Sequence, residues 1–234
     1  MLRPTDPLAG STWSAPGTVA GFAQSLPNTT LMAFAERERR LGPRHRALDV
    51  GCGAGRNAVP LARLGWQVTG IDLSWPMLCA ASTRVRDESL GDRLRLVVAP
   101  MDELPILDRS CDLVIAHGIW NLARSAADFR RAVQEAVQEA ARVATLGAGL
   151  FVFTFSRNTL PPDAEPVPGE PFVFTQFSGE PQCFLTEEQL VSELGVAGFV
   201  PESSVPIREY NRRAPGVLTS AAPVIYEAAF RFQA

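Results

Sequence analysis

Apolar residues along this chain follow two periods, one helical and one of strand type, and the two alternate. Leu31, Phe34, Ala35 and the stem of Glu38 share a face at helical spacing, which predicts a helix over about Asn28–Leu41, stopped by Gly42-Pro43. Residues 46–50 read as a strand, 56–64 as a helix closed by Gly65, and 67–71 as a second strand. A helix over 75–87 has Ser74 as N-cap and Pro76 in its first turn. Strands at 93–98 and 112–116 follow. Phe129, Val133, Ala136, Val137, Ala140 and Val143 then recur every three or four residues, an amphipathic helix over 126–145 ended by Gly147. Leu150–Phe155 reads as a fifth strand. Thr186-Glu187-Glu188-Gln189 is a capping box that starts a helix through about Leu194, and 199–207 and 223–232 read as two further strands.

Strands alternating with helices imply a parallel sheet with helices on both faces. Right-handed crossovers then bring the loops after each strand to one edge, where such folds bind ligands. Three stretches break the pattern. Residues 1–27 are rich in Pro, Gly, Ser and Thr and carry Trp13 and Phe22, which suits a segment docked on the domain. Residues 157–183 hold several prolines with Phe172, Phe174 and Phe177, and are expected to form a cap over the ligand edge. Residues 208–222 are expected to form a second loop. The whole chain, 1–234, reads as one domain with these embellishments.

Composition narrows the class of function. The chain is 46% hydrophobic and 20% charged with a formal net charge of −3, which suits a globular protein and not a nucleic-acid binder. The dense basic stretches, Arg37–Arg46 and Arg208–Arg213, fit solvated faces, so a small-molecule substrate is favoured. Cys52, Cys79, Cys111 and Cys183 are widely spaced with no histidine cluster, so no metal site is expected. No signal peptide or membrane-spanning run is read, and the expected location is the cytoplasm, as a monomer or homodimer without membrane partners.

The chemistry is concentrated in Ala47-Leu48-Asp49-Val50-Gly51-Cys52-Gly53-Ala54-Gly55-Arg56-Asn57. Glycines at alternate positions let the backbone turn sharply and approach a ligand. Asp72, an acid ending the second strand, completes a site for a nucleoside lying over two adjacent strand ends. The glycine spacing differs from that of phosphate-cradling loops, and the Lys such loops carry is missing. Asp49 would repel a pyrophosphate and would suit the cationic amino end of an amino acid. These features favour a zwitterionic cofactor over a dinucleotide.

Leu48 to Arg56 resembles the first motif of the class I S-adenosylmethionine-dependent methyltransferases, within the type 11/25 group that acts on small molecules. Gly70-Ile71-Asp72-Leu73-Ser74 with Met77 and Ala80, Met101-Asp102-Glu103-Leu104-Pro105 followed by Cys111-Asp112-Leu113-Val114, and Leu146-Gly147-Ala148-Gly149 resemble three later segments, in family order. The resemblance covers most of the chain. It implies a Rossmann-like α/β fold with a seven-stranded, mostly parallel sheet whose last strand is antiparallel. It implies S-adenosylmethionine as cofactor, S-adenosylhomocysteine as product, and methyl transfer by in-line displacement to a small-molecule acceptor. Alternatives are a non-catalytic S-adenosylmethionine-binding protein and a nucleotide-dependent oxidoreductase.

Carried over, the family places Gly51, Cys52, Gly53, Gly55, Arg56 and Asn57 around the methionine portion, with Asp49 near its amino group. Asp72 would accept from the ribose hydroxyls, Leu73 and Met77 would touch the adenine, and Met101, Asp102 and Glu103 would flank it. Where the family commonly carries an acid, this chain has Pro100, so adenine recognition leans on Asp102 or on backbone atoms. His117, directly after the strand at 112–116, is the candidate catalytic residue, either a general base or a packing partner of the cofactor. Trp13, Trp120, Arg157, Phe174 and Tyr210 are candidates for the acceptor pocket, with residues 1–27 as a lid.

Overall fold

The structure, a computed structural model, describes residues 6–41, 45–104, 111–140, 147–212 and 222–233. Helices α1 (Pro16–Gln24) and α2 (Thr29–Leu41) precede strand β1 (Arg46–Val50). Then come α3 (Ala58–Arg63), β2 (Gln67–Asp72), α4 (Trp75–Asp87), β3 (Leu94–Val98), β4 (Leu113–His117), α5 (Ala126–Ala140) and β5 (Gly149–Phe155). The C-terminal part adds β6 (Val173–Phe174), β7 (Gln182–Cys183), α6 (Glu187–Val196), β8 (Phe199–Pro201), β9 (Arg208–Tyr210) and β10 (Ile225–Phe232). The caps read from the sequence are present: the Ser74 hydroxyl accepts from the Met77 N–H, and Thr186 and Gln189 close a capping box.

The sheet runs β3-β2-β1-β4-β5-β10-β8, with β9 also on β10. The strands from β3 to β5 pair in parallel, and β10 runs antiparallel to β5. Successive residues of a strand face opposite sides. Leu48, Val50, Val114, Leu150, Val152 and Phe230 therefore pack with α5 and α6, while Ala47, Val68, Leu113, Ile115 and Phe151 pack with α2 and α3. The fold is the Rossmann-like one expected, helices on both faces and the last strand antiparallel.

One expectation is corrected: residues 199–207 are not one strand. Among the described residues seven strands lie on the path from β3 to β8, as expected, and β9 lies beside that path on β10. β8 and β9 share the outer edge of β10, β8 pairing with Phe230–Phe232 and β9 with Ile225–Glu227. Pro201, which ends β8, and Pro206, shortly before β9, lack a donor for the ladder, and between the strands a turn closes from the Val205 N–H to the Glu202 carbonyl. The stretch 157–183 is also more ordered than a loop. β6 and β7 form a ribbon, and Leu160, Phe174 and Phe184 make a small core of their own. The helix expected over 126–145 is described to Ala140; residues 141–146, the segment 105–110, Gly42-Pro43 and residues 213–221 lie outside the described residues.

The N-terminal segment docks on the start of α4. The Asp6 carboxylate accepts from the Trp75 N–H (3.1 Å), the Ser74 hydroxyl donates to the Trp13 carbonyl (3.2 Å), and the Trp13 and Phe22 rings lie 6.0 Å apart. No helix among the described residues is long and apolar enough to cross a membrane.

Candidate functional site

Strand register assembles the site before any side-chain contact is considered. Asp49 lies opposite Gly70 and Ile115, and Asp72 and His117 each lie two residues further along those strands. His117 is paired with Phe153, and Phe153 with Glu227. The period of two puts all five side chains on one face of the sheet, at the carboxyl edge of the parallel strands. The loop from Gly51 to Asn57 crosses this edge.

Gly51, Gly53 and Gly55 all have positive φ, which disfavours side chains with a Cβ. Two of them also answer to packing. A Cβ on Gly51 would lie 2.7 Å from the Ile119 side chain, and one on Gly55 would lie 2.9 Å from Val59. Gly53 differs: a Cβ there would meet only the Met77 sulfur, at 3.9 Å. The middle of the loop therefore presents bare backbone to open space, as a close-fitting ligand requires.

Asp72 braces this loop. One carboxylate oxygen accepts from the Gly53 N–H and the other from the Ser74 N–H, each at 2.8 Å. Burial raises its pKa, and these backbone bonds oppose the rise. Each oxygen keeps a lone pair for a hydroxyl donor. Asp49 is 1% exposed, and one of its oxygens has no hydrogen-bond partner. Burial pushes its pKa up to about 7; the Arg56 charge and a bond from the Ala58 N–H pull the other way.

Arg56 and His117 face each other. An Arg56 guanidinium nitrogen lies 2.9 Å from Nδ1 and 2.7 Å from Nε2 of His117, whose ring stacks on Phe153 at 4.1 Å and 11°. Burial, then the neighbouring Arg56 charge, drives the His117 pKa down to about 3, so the ring is neutral at ordinary pH. The Asn28 side-chain amide lies 3.4 Å from Nε2 and donates to Glu227 at 2.6 Å; the Tyr210 hydroxyl donates to the other Glu227 oxygen at 2.9 Å. Asn28 is fixed in turn by its N–H, which donates to the Asn57 side chain at 3.0 Å.

Asn28 and Glu227 escaped the sequence reading. Glu227 is 4% exposed, and an acid set between Ile225-Tyr226 and Ala228-Ala229-Phe230 is the available signal. Asn28 read only as a helix start.

Of the expected cofactor contacts, Met77 is buried beneath Gly53, and Leu73 and Met101 are half-buried near the strand ends. Cys52 points inward, so close to Gly70 that a Cβ there would meet its sulfur at 2.8 Å. Asp102 is engaged by Arg131 at 3.3 Å, and Glu103 is exposed.

The acceptor-pocket candidates divide. Tyr210 is 38% exposed beside the polar cluster, and Trp13 is partly exposed at Ser74. Trp120 and Phe174 are buried, which corrects the expectation for them, and Arg157 is half-buried. Trp120 is 1% exposed and packs edge-on against Phe129 in the main core. Phe174 is buried in the cap, with the Arg157 guanidinium 4.8 Å from its ring centre. That guanidinium also donates to the carbonyls of Pro161 and Ala164, which pins the start of the cap.

Comparison with known proteins points to methyltransferases. A family model described as a methyltransferase domain matches residues 48–152. Methyltransferase GfsG of Streptomyces halstedii is 34% identical over 113 residues, 48% of this chain and 40% of that protein. The 27-O-demethylrifamycin SV methyltransferase of Amycolatopsis mediterranei is 31% identical over 177 residues, 71% of this chain and 58% of its own. The chain thus spans about half the length of the curated relatives it matches. Among solved structures, Burkholderia thailandensis 1,6-didemethyltoxoflavin-N1-methyltransferase, with bound 1,6-didemethyltoxoflavin and S-adenosylhomocysteine, superposes with a TM-score of 0.62. It covers 87% of this chain and 78% of its own at 20% identity, a likeness of fold.

Proposed function

We propose that the chain is a class I S-adenosylmethionine-dependent methyltransferase, as the match of residues 48–152 to a methyltransferase domain supports, and that it transfers a methyl group from S-adenosylmethionine to a small-molecule acceptor by in-line displacement. The observation that carries the reading is the buried Asp49 oxygen without a donor, beside a glycine loop that opens only at Gly53. A buried anion with an unfilled hydrogen-bond site is costly unless a cation completes it. The amino group of a bound amino-acid cofactor is such a cation.

The other residues take roles consistent with their placement. Asp72 accepts from the ribose hydroxyls with its remaining lone pairs, while its loop bonds keep Gly53 in place. Gly53 lets the cofactor rest on backbone. Met77, Leu73 and Met101 supply apolar contact to the adenine. Asp102, already paired with Arg131, supplies at most a secondary contact.

When bound, S-adenosylmethionine supplies a methyl group on a sulfonium, already a good leaving group. What remains for the protein is alignment and exclusion of water. His117 and Tyr210 stand where an acceptor would approach. With its ring nitrogens facing Arg56 and its pKa near 3, His117 is in this arrangement an orienting group and not a proton acceptor.

A small acceptor is supported by the net charge of −3, which offers no steering to nucleic acid, and by the small molecules in the relatives' names. The cap over 157–183 is the specificity element, since it is the part the sheet does not require. The docked N-terminal segment serves as lid. Cys52, Cys79 and Cys183 form no disulfide, in keeping with a reducing cytoplasm, where the protein works as a monomer or homodimer.

Incubation with methyl-labelled S-adenosylmethionine and a panel of hydroxyl, amine, thiol and activated-carbon acceptors tests the activity by mass spectrometry. A methylated product together with S-adenosylhomocysteine is expected. Tight cofactor binding with no product across the whole panel would instead favour a non-catalytic binding protein.

A further inference from the structure

Asp49 and Arg56 are opposite charges on the two ends of one loop, and neither has an oppositely charged hydrogen-bond partner among the described residues. One Asp49 oxygen is buried and bonded to nothing. Arg56 is half-buried, and its hydrogen-bond contacts in the described structure are with the neutral ring of His117. A guanidinium binds a carboxylate through two parallel charge-assisted bonds and gains much less from an imidazole. His117 is thus a weak partner for it. The zwitterionic end of an amino-acid cofactor offers what both groups lack: an ammonium for Asp49 and a carboxylate for Arg56.

We propose that Arg56 is a two-position residue, resting on His117 in the ligand-free protein and turning to the cofactor's carboxylate on binding, which frees His117 to accept a hydrogen bond from the methyl acceptor. The proposal rests on the cofactor reading above and adds an order of events to it: the cofactor enters first, and the acceptor's orienting group is exposed as a consequence.

The surroundings of His117 allow this exchange without moving the ring. Phe153 stacks against it at 4.1 Å, and the Asn28 amide lies 3.4 Å from Nε2, so its plane is held from two sides after Arg56 leaves. The charged and titratable groups around it are Arg56 on the loop, Asp49 on β1, Glu227 on β10 reached through Asn28, and Tyr210 on β9 bonded to Glu227. Arg56 is the only cation among these. Neutralising it against a carboxylate leaves His117 among anions and neutral donors, which favours the protonated ring and raises its pKa.

The chain has two histidines, so their imidazole resonances are readily assigned with a His45→Gln control. His45, whose ring bonds the Arg39 carbonyl at 2.7 Å, reports on the integrity of the fold. In the ligand-free protein His117 is expected to show no titration above about pH 4. Saturation with S-adenosylhomocysteine should move its midpoint up by about one pH unit or more, and Arg56→Gln should do so without ligand. In calorimetry the wild type should prefer S-adenosylhomocysteine over its decarboxylated analogue by about tenfold or more, and Arg56→Gln should lose that preference. If S-adenosylhomocysteine binds while the His117 midpoint stays in place, or if Arg56→Gln keeps the full preference, the exchange is overturned and the cofactor reading stands. If the folded wild type does not bind S-adenosylhomocysteine, both fall.

Discussion

Asp49 is held in a state that suits its ligand more than its own stability. Its folded pKa, near 7, lies above the ordinary carboxylate value of 3.8 because burial disfavours the charge. Between those two values the folded protein holds a proton that the unfolded chain releases. Its contribution to stability therefore falls as pH rises from about 4 to about 7, and above 7 the ionised group is a net cost. A cation beside Asp49 reverses the preference, so cofactor binding should release a proton below about pH 7. Affinity for S-adenosylhomocysteine should then climb between about pH 6 and 7 and level off above, and Asp49→Asn should flatten the profile. The same variant should raise the Tm of the ligand-free protein at pH 8 by about 3–6 °C, as expected for ~1.5 kcal/mol in a chain of this size. A pH dependence that survives in Asp49→Asn would show that another group faces the amino end.

The placement of Asp49, Gly53 and Asp72 is legible in the sequence because it is set locally. Each sits within three residues of a strand end, and the glycine spacing dictates where the backbone can bend. Glu227 was not legible, since its meaning comes from Asn28, 199 residues away, and from Tyr210 on a neighbouring strand. Trp120 and Phe174 were read as pocket residues because an aromatic side chain suits a pocket and a core equally well. Burial decided for the core in both cases.

Among the elements, the outer edge of the sheet depends on one buried ion cluster at the end opposite the glycine loop. Arg231 on β10 donates to both oxygens of Glu38 on α2, at 2.6 and 2.7 Å, and to Glu202 after β8 at 2.8 Å. Burial alone would raise the Glu202 pKa, but the Arg231 hydrogen bond and those from Ser204 bring it down to about 2. Its stabilising effect is complete above the ordinary value of 4.5 and is lost as pH falls toward 2. Removing Arg231 would leave Glu38 buried and unpaired. Arg231→Ala is therefore expected to lower unfolding stability by about 3 kcal/mol, read from the urea midpoint, while S-adenosylhomocysteine affinity stays within about twofold. A large loss of affinity would mean that this edge is coupled to the site.

The same edge explains what element reading missed. Helices α2, α3, α4 and α6, the described part of α5 and the first five strands match the reading closely because each carries its own period, and Ser74 and Thr186 carry their own caps; α1, in a segment rich in Pro, Gly, Ser and Thr, carries no such signal. The break between β8 and β9 is set by pairing with β10, which comes later in the chain, and by a turn that Arg231 ties down through Glu202. The ribbon of β6 and β7 has two residues per strand, too few for alternation to register.

At the scale of the molecule, a sheet of ordinary topology brings two acids, a glycine loop and a polar cluster to one edge. The N-terminal segment is bonded to Ser74 and Trp75 at the start of α4, and residues 157–183 contribute to a small aromatic core of their own. On the function proposed above, the methyl donor falls to the sheet edge, and the acceptor falls to residues 157–183 and the cluster of Asn28, His117, Tyr210 and Glu227. The central claim concerns the donor. Its most direct test is isothermal titration of S-adenosylhomocysteine into the wild type and Asp72→Ala, with circular dichroism as a check that both are folded. One site per chain with a Kd of about 1–50 μM is expected for the wild type. About 100-fold weaker binding is expected for Asp72→Ala, from the loss of two charge-assisted hydrogen bonds. No binding by the folded wild type, or equal affinity in the two proteins, would contradict the account.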